Sequence, residues 1–218
     1  MSAAAIARQN MVENQLRPNR VQDAALVRAM EQIPREMFVP AALKGLAYMD
    51  DDLPLGSDRW LMEPMVLARM IEAAGITPAC RVLDVGGATG YSTAILSRLA
   101  RHVTLLEADA ALARQAETAL KQLSCPNTAV MQGDMTQGSP DGAPYDVILV
   151  NGAVEQVPQA LSVQLADGGR LVTVVLSGGQ TGRACLFRRT GTTISDIVLF
   201  DAGTPLLPGF EKPAEFEF

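Results

Sequence analysis

Apolar positions along this chain follow two rhythms, and the change between them divides it. Over roughly the first 60 residues the spacing is helical. Ser2 can cap a helix running to about Leu16, broken at Arg17-Pro18, and Asp23 can cap a second through about Ile33, stopped by Pro34. From Gly45 to Pro64 the periodicity is lost, and turn formers and charges gather at Asp50, Asp51, Asp52, Pro54, Gly56, Ser57, Asp58 and Arg59. This predicts a loop, long enough to be functional, in which the Asp50-Asp51-Asp52 run reads as a solvated turn rather than a metal site. Pro64 suits the first turn of a third helix and Gly75 its end.

From Arg81 onward the rhythm changes. Strand-like runs at 81–85, 103–107, 128–132, 145–150 and 170–176 alternate with helical runs at 91–99, 110–123 and 158–165, although no helix is expected between the third and fourth strands. The last two runs, 184–188 and 193–200, are separated only by Thr190-Gly191-Thr192, which predicts an antiparallel hairpin at one sheet edge. The fold class is therefore α/β: a doubly wound, mostly parallel seven-stranded sheet with an antiparallel edge hairpin and an amino-terminal helical extension.

Composition narrows the class. With 218 residues, 48% hydrophobic and 19% charged, the chain suits one large domain or a core with a modest extension, and it can fill a buried core. Its longest apolar runs, such as 171–176, fall short of the roughly 18 residues a membrane span needs, and Arg8 comes too early for a secretory apolar region. A cytoplasmic protein without a membrane partner is expected. The net charge of -6 opposes nucleic-acid binding. Cys80, Cys125 and Cys185 are widely spaced and predict reduced, buried thiols. His102 is the one histidine, so a multi-histidine metal site is excluded, and its place before an apolar run predicts a strand-end or surface role.

In a doubly wound sheet, ligands bind beyond the carboxyl ends of the strands, where strand order reverses. The stretch Val82-Leu83-Asp84-Val85-Gly86-Gly87-Ala88-Thr89-Gly90-Tyr91 joins a strand, an acid, a glycine-rich turn and a helix start, so backbone N–H groups can approach a ligand. A dinucleotide fingerprint would place glycine first, third and sixth from Gly86. Here those places hold Gly86, Ala88 and Tyr91, and the preceding acid would repel a pyrophosphate, which disfavours hydride-transfer cofactors. Asp84 better suits a cationic amino acid moiety, such as S-adenosylmethionine carries. Glu107 lies 107 - 84 = 23 residues on, at the next strand end, a suitable separation for a carboxylate that accepts from a ribose diol. Beyond it, Asp134 could accept from an adenine amino group with Met135 packed on its ring, and Asn151 could orient the methionine part or a methyl acceptor. Each has an ordinary explanation as a turn or strand-end residue. Three acids at successive strand ends beside a glycine turn carry the inference together.

The chain also resembles the protein-L-isoaspartate O-methyltransferases, a class I S-adenosylmethionine-dependent family, over nearly its whole length. The likeness lies in Met11-Val12-Glu13-Asn14-Gln15-Leu16-Arg17-Pro18, in Ile33-Pro34-Arg35-Glu36-Met37-Phe38-Val39-Pro40, and in Tyr48 with Leu53-Pro54-Leu55-Gly56. Pro64 with the helix of 65–70, Pro144-Tyr145-Asp146-Val147-Ile148 and the stretch from Gln164 to Val172 continue it. The resemblance implies a Rossmann-like methyltransferase fold, with residues 1–63 as helical extension and acceptor loop and 64–218 as the cofactor-binding domain. It implies S-adenosyl-L-methionine held by Asp84, Gly86, Gly87, Ala88, Gly90, Glu107, Ala108, Asp134, Met135 and Asn151. The loop before Pro64 would face the acceptor, an isoaspartyl carboxylate of a damaged protein or peptide.

That loop departs from the family. Where it usually reads Gln-Thr-Ile-Ser-Gln-Pro, this chain has Arg59-Trp60-Leu61-Met62-Glu63-Pro64, so Met62 stands at the serine and Trp60 at the threonine, and Ala88 replaces the middle glycine of the turn. Arg59, Trp60, Met62 and Asn151 are the acceptor-side candidates. Arg59 could pair with a carboxylate or lie on the surface, and Trp60 could cover the cofactor or anchor the loop on the core. Three functions remain open: isoaspartyl repair with a remodelled loop, methylation of a different acceptor that is small, apolar or aromatic, and a non-catalytic cofactor-binding role.

Overall fold

The computed structural model describes residues 2–177 and 181–212. Its amino-terminal part follows the capping signals. Helix α1 (Ala3–Met11) is capped by the Ser2 hydroxyl, which accepts the Ala5 N–H at 3.2 Å, and it passes into a π-helical turn (Val12–Leu16). Helix α2 (Ala24–Gln32) is capped by Asp23, whose carboxylate accepts the N–H groups of Ala25 and Leu26. Two short 3-10 helices follow, Arg35–Met37 and Ala41–Leu46.

The stretch from Gly45 to Pro64 is not the loop that its pattern suggests. It contains an antiparallel hairpin of β1 (Leu53–Gly56) and β2 (Arg59–Leu61), which forms a sheet of its own. In β2 the residues alternate in burial, with Arg59 and Leu61 buried and Trp60 exposed. A charge on the inward face of so short a strand hides the period. Helix α3 (Pro64–Ala74) starts and ends where proline and Gly75 predict.

The main sheet is built from β3 (Arg81–Val85), β4 (His102–Glu107), β5 (Thr128–Gln132), β6 (Tyr145–Val154), β7 (Leu165–Val175), β8 (Arg183–Thr190) and β9 (Thr193–Asp201). Its seven strands run in the order β5-β4-β3-β6-β7-β8-β9, parallel through β7 and antiparallel at β8 and β9. Strand order reverses at β3, between β4 and β6. Helices α4 (Tyr91–Leu96), α5 (Ala110–Gln122) and α6 (Gln159–Ser162) connect the parallel strands, α4 and α6 being shorter than their patterns suggest. Strand β6 runs past Val150 to Val154, because a register shift between Leu149 and Ala153 lets pairing resume beyond Gly152, and β7 begins at Leu165 rather than near 170, because Leu165 pairs with Tyr145 ahead of a second shift between Tyr145 and Val147.

Alternation along β3 sorts two apolar clusters. Val82 joins Met11, Leu16, Leu26, Met30, Ile71 and Val172 in one, so the amino-terminal helices share a core with the sheet. Leu83 and Val85 join Ile148, Val150, Leu207 and Phe210 in the other. His102 heads β4 half-buried, and the three cysteines are buried and free. Among the described residues no helix is long and apolar enough to cross a membrane, and no His, Cys, Asp and Glu cluster suits a metal ion.

Candidate active site

The carboxyl ends of β3, β4 and β6 meet at the reversal point, and the sequence-marked residues lie there. The turn after β3 has Gly86 at φ +71° and Ala88 at φ +49°. A β-carbon on Gly87 would meet the Asp84 Oδ2 at 2.8 Å and Leu105 at 2.9 Å, so that position needs glycine. Ala88 adopts the left-handed conformation despite its side chain, and its N–H donates to Glu107 Oε2 at 3.0 Å.

Asp84 is fully enclosed beneath this turn. Its carboxylate accepts from Ser92 Oγ at 2.7 Å, from Thr93 Oγ1 at 2.6 Å and from the Asn151 amide. Burial pushes its pKa up to about 6; the Thr93 and Ser92 hydrogen bonds and the Arg59 charge act against the rise, and the Glu107 charge adds to it. Asp84 therefore ties the turn to the first turn of α4. Asn151, donating to Asp84 and to Ser92 Oγ at 3.2 Å, is committed to the same network.

Glu107, at the end of β4, is also enclosed. Its Oε1 accepts from the N–H groups of Ala108 at 2.9 Å and Asp109 at 3.1 Å, and from Arg59 Nη1 at 2.8 Å. Arg59 is 3% exposed, which corrects both expectations for it: it is neither a surface arginine nor free to meet an acceptor. Its Nη2 donates to the Gly86 carbonyl at 2.6 Å, and its Nη1 also lies 3.4 Å from Met135 Sδ. Its Nε is buried without a partner among the described residues. Met135 is buried, Asp134 is exposed with its Oδ1 accepting from the Thr136 N–H and hydroxyl, and Ala108 is exposed.

The acceptor-side candidates separate. Trp60 is 39% exposed and does not anchor the loop, because strand alternation turns it outward. Met62 is 3% exposed within the core, so no side chain at the serine position faces an acceptor. Its carbonyl accepts from Arg35 Nη2 at 2.7 Å, and Arg35 Nε donates to the Ala47 carbonyl at 2.7 Å. Arg35 is wholly buried, with its guanidinium 4.9 Å from the Tyr91 ring centroid, and so fixes the segment before Pro64 against α4. Beside it, Asp52 Oδ1 accepts the Glu63 N–H at 2.8 Å, and burial together with Asp50, Asp52 and Asp51 pushes the Glu63 pKa up to about 7.

Sequence reasoning missed Arg35 as an organiser, Ser92 and Thr93 as the partners of Asp84, and Leu207. Ser92-Thr93 in the first turn after the glycines was a usable signal. Leu207 carried none: it arrives from the chain end, where its N–H donates to the Ala153 carbonyl at 2.9 Å, and it packs against Gly86 and Gly152.

A mostly parallel sheet whose reversal point carries an acid, a glycine turn and a second acid at the next strand end suits a nucleoside cofactor, and the family match makes it that of a class I, S-adenosylmethionine-dependent methyltransferase. The family model for protein-L-isoaspartate(D-aspartate) O-methyltransferase matches residues 7–198. The chain belongs to that family. It is 41% identical over 190 residues to protein-L-isoaspartate O-methyltransferase 1 of Rhodopseudomonas palustris, covering 87% of this chain and 77% of that one. It is 40% identical over 206 residues to the Gloeobacter violaceus protein-L-isoaspartate O-methyltransferase, covering 94% and 100%. Among solved structures, a protein-L-isoaspartate O-methyltransferase superimposes with a TM-score of 0.82 at 26% identity, over 93% of this chain and 66% of that longer one. A Plasmodium falciparum structure described by the same activity, in complex with S-adenosyl-L-homocysteine, gives 0.77 at 18% identity over 95% and 99%, a likeness of fold.

Proposed function

We propose that this protein is an S-adenosylmethionine-dependent O-methyltransferase that esterifies the carboxylate of isoaspartyl residues in damaged proteins or peptides. The observation that carries the reading is the family match over 7–198 together with the enclosed acids Asp84 and Glu107 flanking the Gly86–Gly90 turn at the sheet reversal.

The donor set suits the cofactor. Glu107 Oε2 spends itself on one backbone N–H and keeps capacity for a ribose hydroxyl, the turn offers main-chain groups close to a ligand, and Met135 offers an apolar face. Asp84, through Ser92, Thr93 and Asn151, holds the turn in shape, and Asp134 is exposed, which leaves it open to an adenine amino group. Bound there, the cofactor supplies an electrophilic methyl group, which an acceptor oxygen takes while the sulfur keeps the electron pair of the broken bond. This chain needs no general base for that chemistry, because a carboxylate that titrates at about pH 3.5 to 4 is already ionised at neutral pH. Its contribution is orientation and exclusion of water. Arg35 supports this by fixing the Met62 carbonyl, which holds in place the segment where the family has its serine. A cytoplasmic setting, where proteins age in reducing surroundings, agrees with three free buried cysteines.

The test is incubation of the protein with methyl-labelled cofactor and an isoaspartyl peptide, reading alkali-labile methyl ester. Absence of ester on a folded sample that binds the cofactor would sink the isoaspartyl assignment. A second reading, a small aromatic or apolar acceptor, is favoured by one observation, the exposed Trp60 where the family has threonine. Turnover of such acceptors without turnover of the peptide would establish it.

A further inference from the structure

Three of the cofactor-site groups, Glu107, Gly86 and Met135, are touched by one guanidinium, that of Arg59. The contact is made across the molecule: Arg59 belongs to the separate β1–β2 hairpin, whereas Glu107 and Gly86 lie at the ends of β4 and β3 of the main sheet. From these positions we propose that Arg59 is a gate for the cofactor site, an internal cation that holds the hairpin closed over the ribose-binding carboxylate and competes with S-adenosylmethionine for Glu107. The proposal rests on the methyltransferase reading above and deepens it.

Four features make the contact displaceable rather than purely structural. Arg59 Nε is buried without a partner among the described residues, so the closed state leaves one donor unsatisfied. Glu107 keeps the N–H groups of Ala88, Ala108 and Asp109 when the guanidinium departs, so its charge is not abandoned. The hairpin tip is exposed, and its turn residues Ser57 and Asp58 both sit at positive φ, 52° and 53°, so water receives the departing side chain within a residue or two of its backbone. Trp60, next in the strand, is already half in solvent. Arginine at this position instead of the family's glutamine is what supplies the charge, and the reach, to close the site.

A binding site that is mostly closed weakens apparent affinity by the closed fraction. The full-length protein and its Arg59→Gln variant are titrated calorimetrically with S-adenosyl-L-homocysteine, while Trp60, the one tryptophan, reports hairpin movement in the unaltered protein. The gate predicts that Arg59→Gln binds roughly tenfold tighter or more. It also predicts that saturating the unaltered protein changes Trp60 emission and raises its quenching by iodide. Equal or weaker binding by a folded Arg59→Gln variant overturns the gate while leaving the methyltransferase reading intact. So does a Trp60 signal that saturation leaves unchanged, and this readout decides the matter if the variant does not fold. If neither protein binds the nucleoside, the cofactor reading itself falls and the gate falls with it.

Discussion

Replacing Glu107 with leucine removes the acceptor for a guanidinium that is 3% exposed and already short of one partner, and it leaves the Ala88 N–H inside the turn without its carboxylate. Breaking a buried ion pair from one side costs about 3 to 5 kcal/mol, because the surviving charge stays desolvated. For a chain of this size, at about 2 to 4 °C per kcal/mol, the melting temperature should drop by about 6 to 20 °C. Arg59→Met should cost less, about 1 to 3 kcal/mol, since Glu107 retains its backbone donors. The double variant removes both charges and should recover part of the loss, giving a coupling energy of about 2 kcal/mol or more. Urea unfolding of the four proteins measures the cycle. A loss under about 1 kcal/mol for Glu107→Leu, or two losses that add within about 0.5 kcal/mol, would show that the pair seen here is not formed in solution.

Other outcomes follow from single positions. Ala88→Gly relieves a left-handed φ of +49° and should raise stability by about 1 kcal/mol, read as a rise in melting temperature; a fall would mean that the turn adopts another conformation. Glu63, held at a pKa of about 7 against an ordinary 4.5, binds more protons folded than unfolded within that window, so stability should fall as pH rises from 4.5 to 7 and level off above. Glu63→Gln should flatten that part of the profile and raise the melting temperature above pH 7, and an unchanged profile would refute the assignment. Asp84, raised to about 6, contributes with the same sign at lower pH, which is why the Glu63 variant should flatten the slope only in part. Arg35→Met leaves the Ala47 and Met62 carbonyls without their donor and should destabilise by about 2 to 4 kcal/mol in denaturant unfolding, whereas a neutral result would deny it the organising role.

Much of the fold was legible because its signals are local. Ser2 and Asp23 cap helices through their own side chains, Pro64 opens α3, and the apolar runs from Arg81 onward match the strands, of which β3, β4 and β6 are buried on both faces. The gathering of Asp84, Gly86 and Glu107 at the sheet reversal was legible, since each is marked by its place at or just after the end of an apolar strand run. Legibility failed where the deciding partner was distant in sequence. The β1–β2 hairpin was hidden because its inward residue, Arg59, is charged, and its partner Glu107 stands 48 residues away. Trp60 and Met62 were placed by their chemistry, yet a two-residue strand period and burial in the core decide which way they face.

Alternating strands and helices, a capped amino-terminal extension and an acidic glycine turn were determined by the order of residues, because each depends on neighbours within a few positions of chain. Tertiary structure alone decided that Asp84 is spent on Ser92, Thr93 and Asn151, that Arg35 holds the Met62 carbonyl, and that Leu207 returns from the chain end to pack at the reversal point. It also decided that Arg59 sits on Glu107. The physical reason is that a buried charge takes whichever opposite charge the packed chain brings within reach, and sequence separation says nothing about which that will be.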